Sequence, residues 1–161
     1  MVEDLFERCE RRLGRYLVQM VRDRSLAEDL LQEAFCVALS SGSQLASARN
    51  QEAWLFGVAR NLALQALRKR RRIQLALSRF PFSSHATDDS AEVVATRELL
   101  EALTLEDRSL VLLRYLHGFS AIELAEATGL TADAVRQRLS RARKRLVDAA
   151  ETRPEGGPRW L

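Results

Sequence analysis

The chain has 161 residues, with 47% hydrophobic side chains, 6% aromatic ones, seven glycines and a formal net charge of +3. This length allows one domain or two small ones, and a composition led by alanine, leucine, arginine and glutamate favours helices over sheet. No apolar run approaches the roughly 18 residues of a membrane span and no signal peptide opens the chain, so a cytoplasmic protein without membrane insertion is expected.

The charge is unevenly distributed. It is −2 over residues 1–39, +7 over 40–79, −2 over 80–91, −4 over 92–130 and +4 over 131–161. Two basic patches separated by acidic ground point to two contacts with a polyanion, leaving other surfaces for protein.

Leu5, Phe6, Cys9, Leu13, Tyr16, Leu17, Met20 and Val21 recur at helical spacing and predict a first helix over 3–22. Residues 23–25 break it, and Ser25 with Glu28 reads as a capping box that opens a second helix to about Leu39. Leu26, Leu30, Leu31, Ala34, Phe35 and Ala38 face inward there, while Asp29, Gln32 and Glu33 form a polar ridge. Taken alone, the ridge is ordinary solvated surface. Cys9 and Cys36 lack CxxC spacing or a histidine cluster and fall at apolar positions, so both read as buried thiols rather than a disulfide or metal site.

Residues 40–50, SSGSQLASARN, read as a loop. The next helix, 51–72, buries Trp54, Leu55, Val58, Ala59, Leu62 and Ala66, with Arg60, Asn61, Gln65 and Arg68 elsewhere on the rod. It ends in Arg68-Lys69-Arg70-Arg71-Arg72, a run that suits either lipid headgroups or nucleic acid. The absence of an accompanying membrane-binding apolar face favours nucleic acid. Phe80-Pro81-Phe82 and the polar run after it break the periodicity. The expected organisation is a domain over 1–75, a flexible linker over 76–91, a second domain over 92–150 and a disordered tail over 151–161. His85 and His117 have no partners in the pattern and read as incidental.

In the second domain, Asp89 or Ser90 caps a helix over 92–103. Thr104 with Asp107 opens another that runs through Leu110, Val111, Leu113, Tyr115 and Leu116 to His117-Gly118. Ser120 and Glu123 make a capping box for a short helix whose apolar contacts are Ile122, Leu124, Ala125 and Ala127. Gly129 suits a helix-ending turn with φ > 0, and Thr131 caps the last helix. Val135, Leu139, Ala142 and Leu146 line one side of that helix, and Arg136, Gln137, Ser140, Arg141 and Lys144 another. A short helix, a turn and a basic helix is the geometry of a helix-turn-helix DNA reader.

Three segments together carry a resemblance: AEDLLQEAF (27–35), AWLFGVARNLALQALRKRRR (53–72) and LTLEDRSLVLLRYLHGFSAIELAEATGLTADAVRQRLSRARKRL (103–146). In this order the chain resembles a bacterial sigma factor of the extracytoplasmic-function group, the minimal branch of the sigma-70 family. The resemblance implies an all-α fold of two small helical domains, sigma region 2 and the helix-turn-helix of sigma region 4, joined by a flexible linker. It implies a non-enzymatic protein without cofactor or metal, which binds core RNA polymerase and directs promoter-specific transcription initiation.

On that resemblance Asp29, Gln32 and Glu33, with Leu30 and Phe35 holding the helix rigid beneath, would meet the β′ clamp of polymerase, with the β flap as a second contact. Arg60, Asn61, Gln65 and Arg68 would meet the minus-10 element, and the 44–52 loop would capture a flipped base, an extrusion that costs a few kcal/mol. Arg136, Gln137 and Arg141 would lie at base-reading and nearby backbone positions of the minus-35 helix, with Ser140 on the same face and Arg138, Arg143 and Lys144 on phosphates. Control by a separate anti-sigma protein is the family's default.

The chain departs from the family pattern at Thr104, Ala134 and Gln137, and at Gly57, where many members carry a large hydrophobic or basic residue. A stand-alone helix-turn-helix regulator that binds DNA as a dimer is the competing reading. An enzyme acting on nucleic acid is disfavoured, because there is no phosphate-cradling glycine loop, metal-ligand cluster or nucleophile–base pair.

Overall fold

The computed structural model describes residues 1–77 and 91–152, and these are helical throughout apart from short connections. Helix α1 (Val2–Val21) buries Leu5, Cys9, Leu13, Tyr16, Leu17, Met20 and Val21. It ends at Arg22, in the left-handed region with φ 55°. Helix α2 (Arg24–Ser40) is capped by Asp23 rather than by Ser25, because the extended backbone at Asp23 aims its carboxylate at the Leu26 N–H, 3.0 Å away. That bond, and then the Arg70 guanidinium beside it, hold the Asp23 carboxyl below its usual range.

The expected loop over 40–50 contains a helical turn and a half, α3 (Gly42–Ser47), pinned by the fully buried Leu45. Helix α4 (Gln51–Ala76) is capped by Asn50, whose side chain accepts from the Ala53 N–H at 3.0 Å. It runs past Arg72, since Ile73, Gln74, Leu75 and Ala76 present nothing that breaks a helix. Phe80-Pro81-Phe82, His85, the cap signals at Asp89 and Ser90 and the tail beyond 152 lie outside the described residues.

Helix α5 (Ala91–Leu100) stops short of the expected 103, and the turn after it buries Leu103. Thr104 caps α6 (Leu105–Val111), accepting from the Asp107 N–H. This helix widens into a π turn over Leu112–Leu116 before His117. The capping box on α7 (Ala121–Thr128) is complete in both directions, Gly129 has φ 75°, and Thr131 caps α8 (Ala132–Glu151). Val135, Leu139, Ala142 and Leu146 are all buried, as their spacing predicts.

Helices α1, α2 and α4 pack on one another, α6 and α7 each pack on α8, and α7 lies across α4 to join the two groups. The α4 stripe is therefore wider than one amphipathic face. Phe56, Gly57, Ala63 and Leu64 are buried beside Leu55 and Ala59, because α4 is covered from both sides. Three expected core positions fall outside the core, and the first is Phe6 of α1, 39% exposed. Ile122 is 59% exposed, since α7 turns Leu124 inward instead. Cys36 is exposed on α2, whereas Cys9 is buried and its thiol is pushed up to about 11, chiefly by that burial.

Candidate functional site

On α2, Asp29, Gln32 and Glu33 are exposed in one ridge, and Leu30 and Phe35 are buried beneath it. Phe35 is held there by Phe6, whose ring meets it edge-on at 4.7 Å. The ridge is thus an open acidic surface on a helix whose opposite side is locked into the core.

On α8, Arg136, Gln137, Ser140, Arg141, Arg143 and Lys144 are exposed. Arg138 differs, because it is half-buried and reaches Asp107 at 3.5 Å, tying α8 to α6. Arg136 pairs with Asp133 one turn earlier, at 3.0 Å on open surface, where such a pair contributes little. Tyr115, Ile122, Leu139 and Val147 floor a shallow groove beside this basic face, rimmed by Arg114, Arg136 and Lys144.

The α4 candidates do not stay together. Asn61 and Gln65 are exposed. Arg60 is buried, with 7% of its surface accessible, and its Nε donates to the fully buried Ser109 Oγ at 2.7 Å. Burial lowers the pKa of that guanidinium, partly offset by Tyr16 and Glu106. Arg68 is paired with Glu106 of α6, a contact that holds the Glu106 carboxyl below its usual range. The segment before α4 is tied down as well. The Arg49 N–H donates to Glu126 at 3.1 Å, and the Asn50 amide to Glu123 at 2.7 Å.

At the centre of this junction lies an aromatic group. Phe56 packs on Phe119 at 4.9 Å, on His117 at 5.5 Å and on Tyr16 at 5.8 Å. Arg12 stacks over Phe56 and Phe119 while its guanidinium bonds Glu52 and the His117 carbonyl, each at 2.9 Å. His117 is therefore a buried junction residue, bonded to Gln19 at 2.9 Å, and not the incidental histidine its position suggests. Burial, with Arg12 and Arg15 nearby, lowers its pKa to about 4.

Ser109, His117, Phe56 and Gly57 are the residues that sequence patterns did not single out for this junction. Only Gly57 left a signal, as a glycine inside a run of good helix formers. Among the described residues no cluster of histidine, cysteine or carboxylate side chains is suited to hold a metal.

Two family profiles match the chain, Sigma-70 region 2 over residues 5–73 and Sigma-70, region 4 over residues 94–146. The RNA polymerase sigma factor CarQ of Myxococcus xanthus is 33% identical over 149 residues, covering 89% of this chain and 86% of its own. The ECF RNA polymerase sigma factor SigX of Bacillus subtilis is 29% identical, over 76% of this chain and 70% of its own. Among solved structures, the sigma factor RpoE of Bartonella quintana, in complex with the anti-sigma factor NepR, superposes with a TM-score of 0.77. That match has 24% identity and covers 93% of this chain and 96% of that one.

Proposed function

The chain belongs to the extracytoplasmic-function group of the sigma-70 family and is an RNA polymerase sigma factor for transcription initiation, and we propose how its surfaces divide that work. The family implies core RNA polymerase and promoter DNA as partners. Asp29, Gln32 and Glu33 form the contact for the basic surface of the β′ clamp, and Leu30 and Phe35 fix the helix under them. Asn61, Gln65 and Arg68 meet the minus-10 element, and Arg60, bonded to Ser109, supports the helix beneath them. Arg136, Gln137, Ser140 and Arg141 face the minus-35 groove, while Arg143 and Lys144 contact phosphates; Arg138 spends part of its reach on Asp107. Phosphate contacts set position and salt dependence, and base-edge contacts set sequence preference. The β flap is the second polymerase contact, and an anti-sigma protein is the proposed regulator, in keeping with the complex in which the Bartonella neighbour was solved.

The observation that supports this division best is the sorting of α2 and α8. On both helices one apolar stripe is buried, Leu30, Ala34, Phe35 and Ala38 on α2 and Val135, Leu139, Ala142 and Leu146 on α8, and the assigned polar side chains, Arg138 apart, stand exposed. The acidic ridge is tested by titrating core polymerase with the chain carrying Asp29→Ala and Glu33→Ala together. Affinity falls about tenfold, a loss of about 1.4 kcal/mol, with helicity unchanged. An unaltered affinity removes the ridge from the polymerase contact.

A further inference from the structure

Helix α8 carries an acidic side chain where its basic face begins. Between residues 132 and 147 arginine and lysine recur, and Asp133 is the only acid. Asp133, Gln137, Ser140 and Lys144 follow one another at steps of four, three and four. Asp133 therefore heads the row proposed to enter the minus-35 groove. Its side chain is 89% exposed and lies in the first turn of the helix. A recognition helix brings such N-terminal residues to the base edges.

The positive end of the helix dipole accounts for a carboxylate in this turn. It does not account for the bond that the carboxylate makes. Asp133 Oδ1 accepts from Arg136 Nη1 at 3.0 Å, in an exposed pair that adds little to stability. What the pair does is restrict a long side chain that would otherwise sample many rotamers. It leaves Arg136 Nε and Nη2, and Asp133 Oδ2, for other partners.

The two groups have opposite requirements in the major groove. A carboxylate only accepts hydrogen bonds, so it matches the amino groups of cytosine and adenine and is repelled by the oxygens of guanine and thymine. A guanidinium only donates, and its fork matches guanine O6 and N7. The same carboxylate is repelled by phosphate, which turns the front of α8 away from the DNA backbone and towards the groove floor.

We infer that Asp133 and Arg136 act as one preassembled reading pair. Asp133 selects cytosine or adenine at one minus-35 position and holds Arg136 towards guanine at a neighbouring one. Asp133 is thus a specificity-determining residue and also the positioning residue for Arg136. Its charge weakens attraction to DNA of any sequence while widening the gap between right and wrong sequences, and specificity is that gap.

This inference rests on the assignment of α8 to the minus-35 element, and the experiment keeps the two apart. Holoenzyme is reconstituted from core polymerase and the full chain, as wild type, Asp133→Ala or Asp133→Asn. Each is selected on promoter duplexes randomised across the minus-35 element, and the bound duplexes are sequenced. Wild type should enrich cytosine or adenine on one strand, near a guanine contact, each about tenfold over the disfavoured bases. Asp133→Ala should abolish the first preference, weaken the guanine preference and bind the unselected pool more tightly. In Asp133→Asn the amide both donates and accepts, so adenine should stay favoured while guanine and thymine are no longer excluded. Circular dichroism should show unchanged helicity in both variants, because the side chain is exposed.

Unchanged base preferences in both variants overturn the inference and leave Asp133 to the helix dipole alone. A uniform gain in affinity for every sequence overturns it as well, since that outcome needs only charge repulsion. An intact guanine preference in Asp133→Ala overturns the positioning of Arg136. The failure of the α8 assignment looks different: wild-type holoenzyme shows no minus-35 preference, and Lys144→Ala holoenzyme binds as wild type does.

Discussion

Replacing Ser109 by alanine removes the hydroxyl that accepts from the Arg60 Nε at 2.7 Å and donates to the Glu106 carbonyl at 2.6 Å. The guanidinium it leaves behind is buried and reached by little water. A hydrogen bond to a charged group contributes about 1.5–3 kcal/mol and alanine recovers roughly 0.5 kcal/mol of helix preference, so Ser109→Ala should destabilise by about 1–2.5 kcal/mol. Arg60→Met keeps most of the buried stem and discards the charge. Urea unfolding of wild type, each single variant and the double variant, followed by circular dichroism, closes a double-mutant cycle. The expected coupling is about 1–2 kcal/mol with similar m values throughout. A coupling below about 0.5 kcal/mol would refute the claim that this bond joins the halves, because distant independent sites already add to within that margin.

Other outcomes follow from the same geometry. Leu45→Ala should cost about 2–5 kcal/mol in urea unfolding, because Leu45 is wholly buried and anchors α3; a cost under 1 kcal/mol, typical of a surface loop, would contradict that role. His117 has a folded pKa lowered from 6.5 to about 4, so the unfolded chain binds the extra proton between those values. Its stabilising contribution is complete above about pH 6.5 and is lost as pH falls towards 4, a change on the order of 3 kcal/mol. The slope of stability against pH between 5 and 7 should flatten in His117→Gln, and a slope identical to wild type would remove His117 as its source. On α8, Gln137→Ala should alter which minus-35 sequences are bound, whereas Lys144→Ala should weaken binding to all of them and reduce the salt slope by about 1. Equal losses in both variants on every sequence would place Gln137 on the phosphates as well.

Legibility in the sequence followed the range of the forces involved. Thr104, Ser120 and Thr131 cap α6, α7 and α8 as their spacing predicts, because each cap is settled by a side chain and a backbone N–H three residues away. The α8 stripe and the α2 ridge were legible for a similar reason, since helical periodicity alone sorts those side chains to opposite sides. Where two local solutions competed, distance mattered. Asp23 outcompetes Ser25 as the α2 cap, and its carboxylate is held in place partly by Arg70, 47 residues away.

The tertiary structure alone decided what lies between the halves. Gly57 meets Ala127, Arg60 meets Ser109, and Arg12 reaches the His117 carbonyl across 105 residues of chain. No periodic pattern encodes these contacts, because they depend on how two separately amphipathic groups of helices are set against each other. The sequence by itself determined the long helices, the caps of α6, α7 and α8, and the family they serve. Only their packing buried Arg60 against Ser109 and paired the exposed Arg68 with Glu106, because desolvation and pairing belong to a neighbour that local sequence does not name.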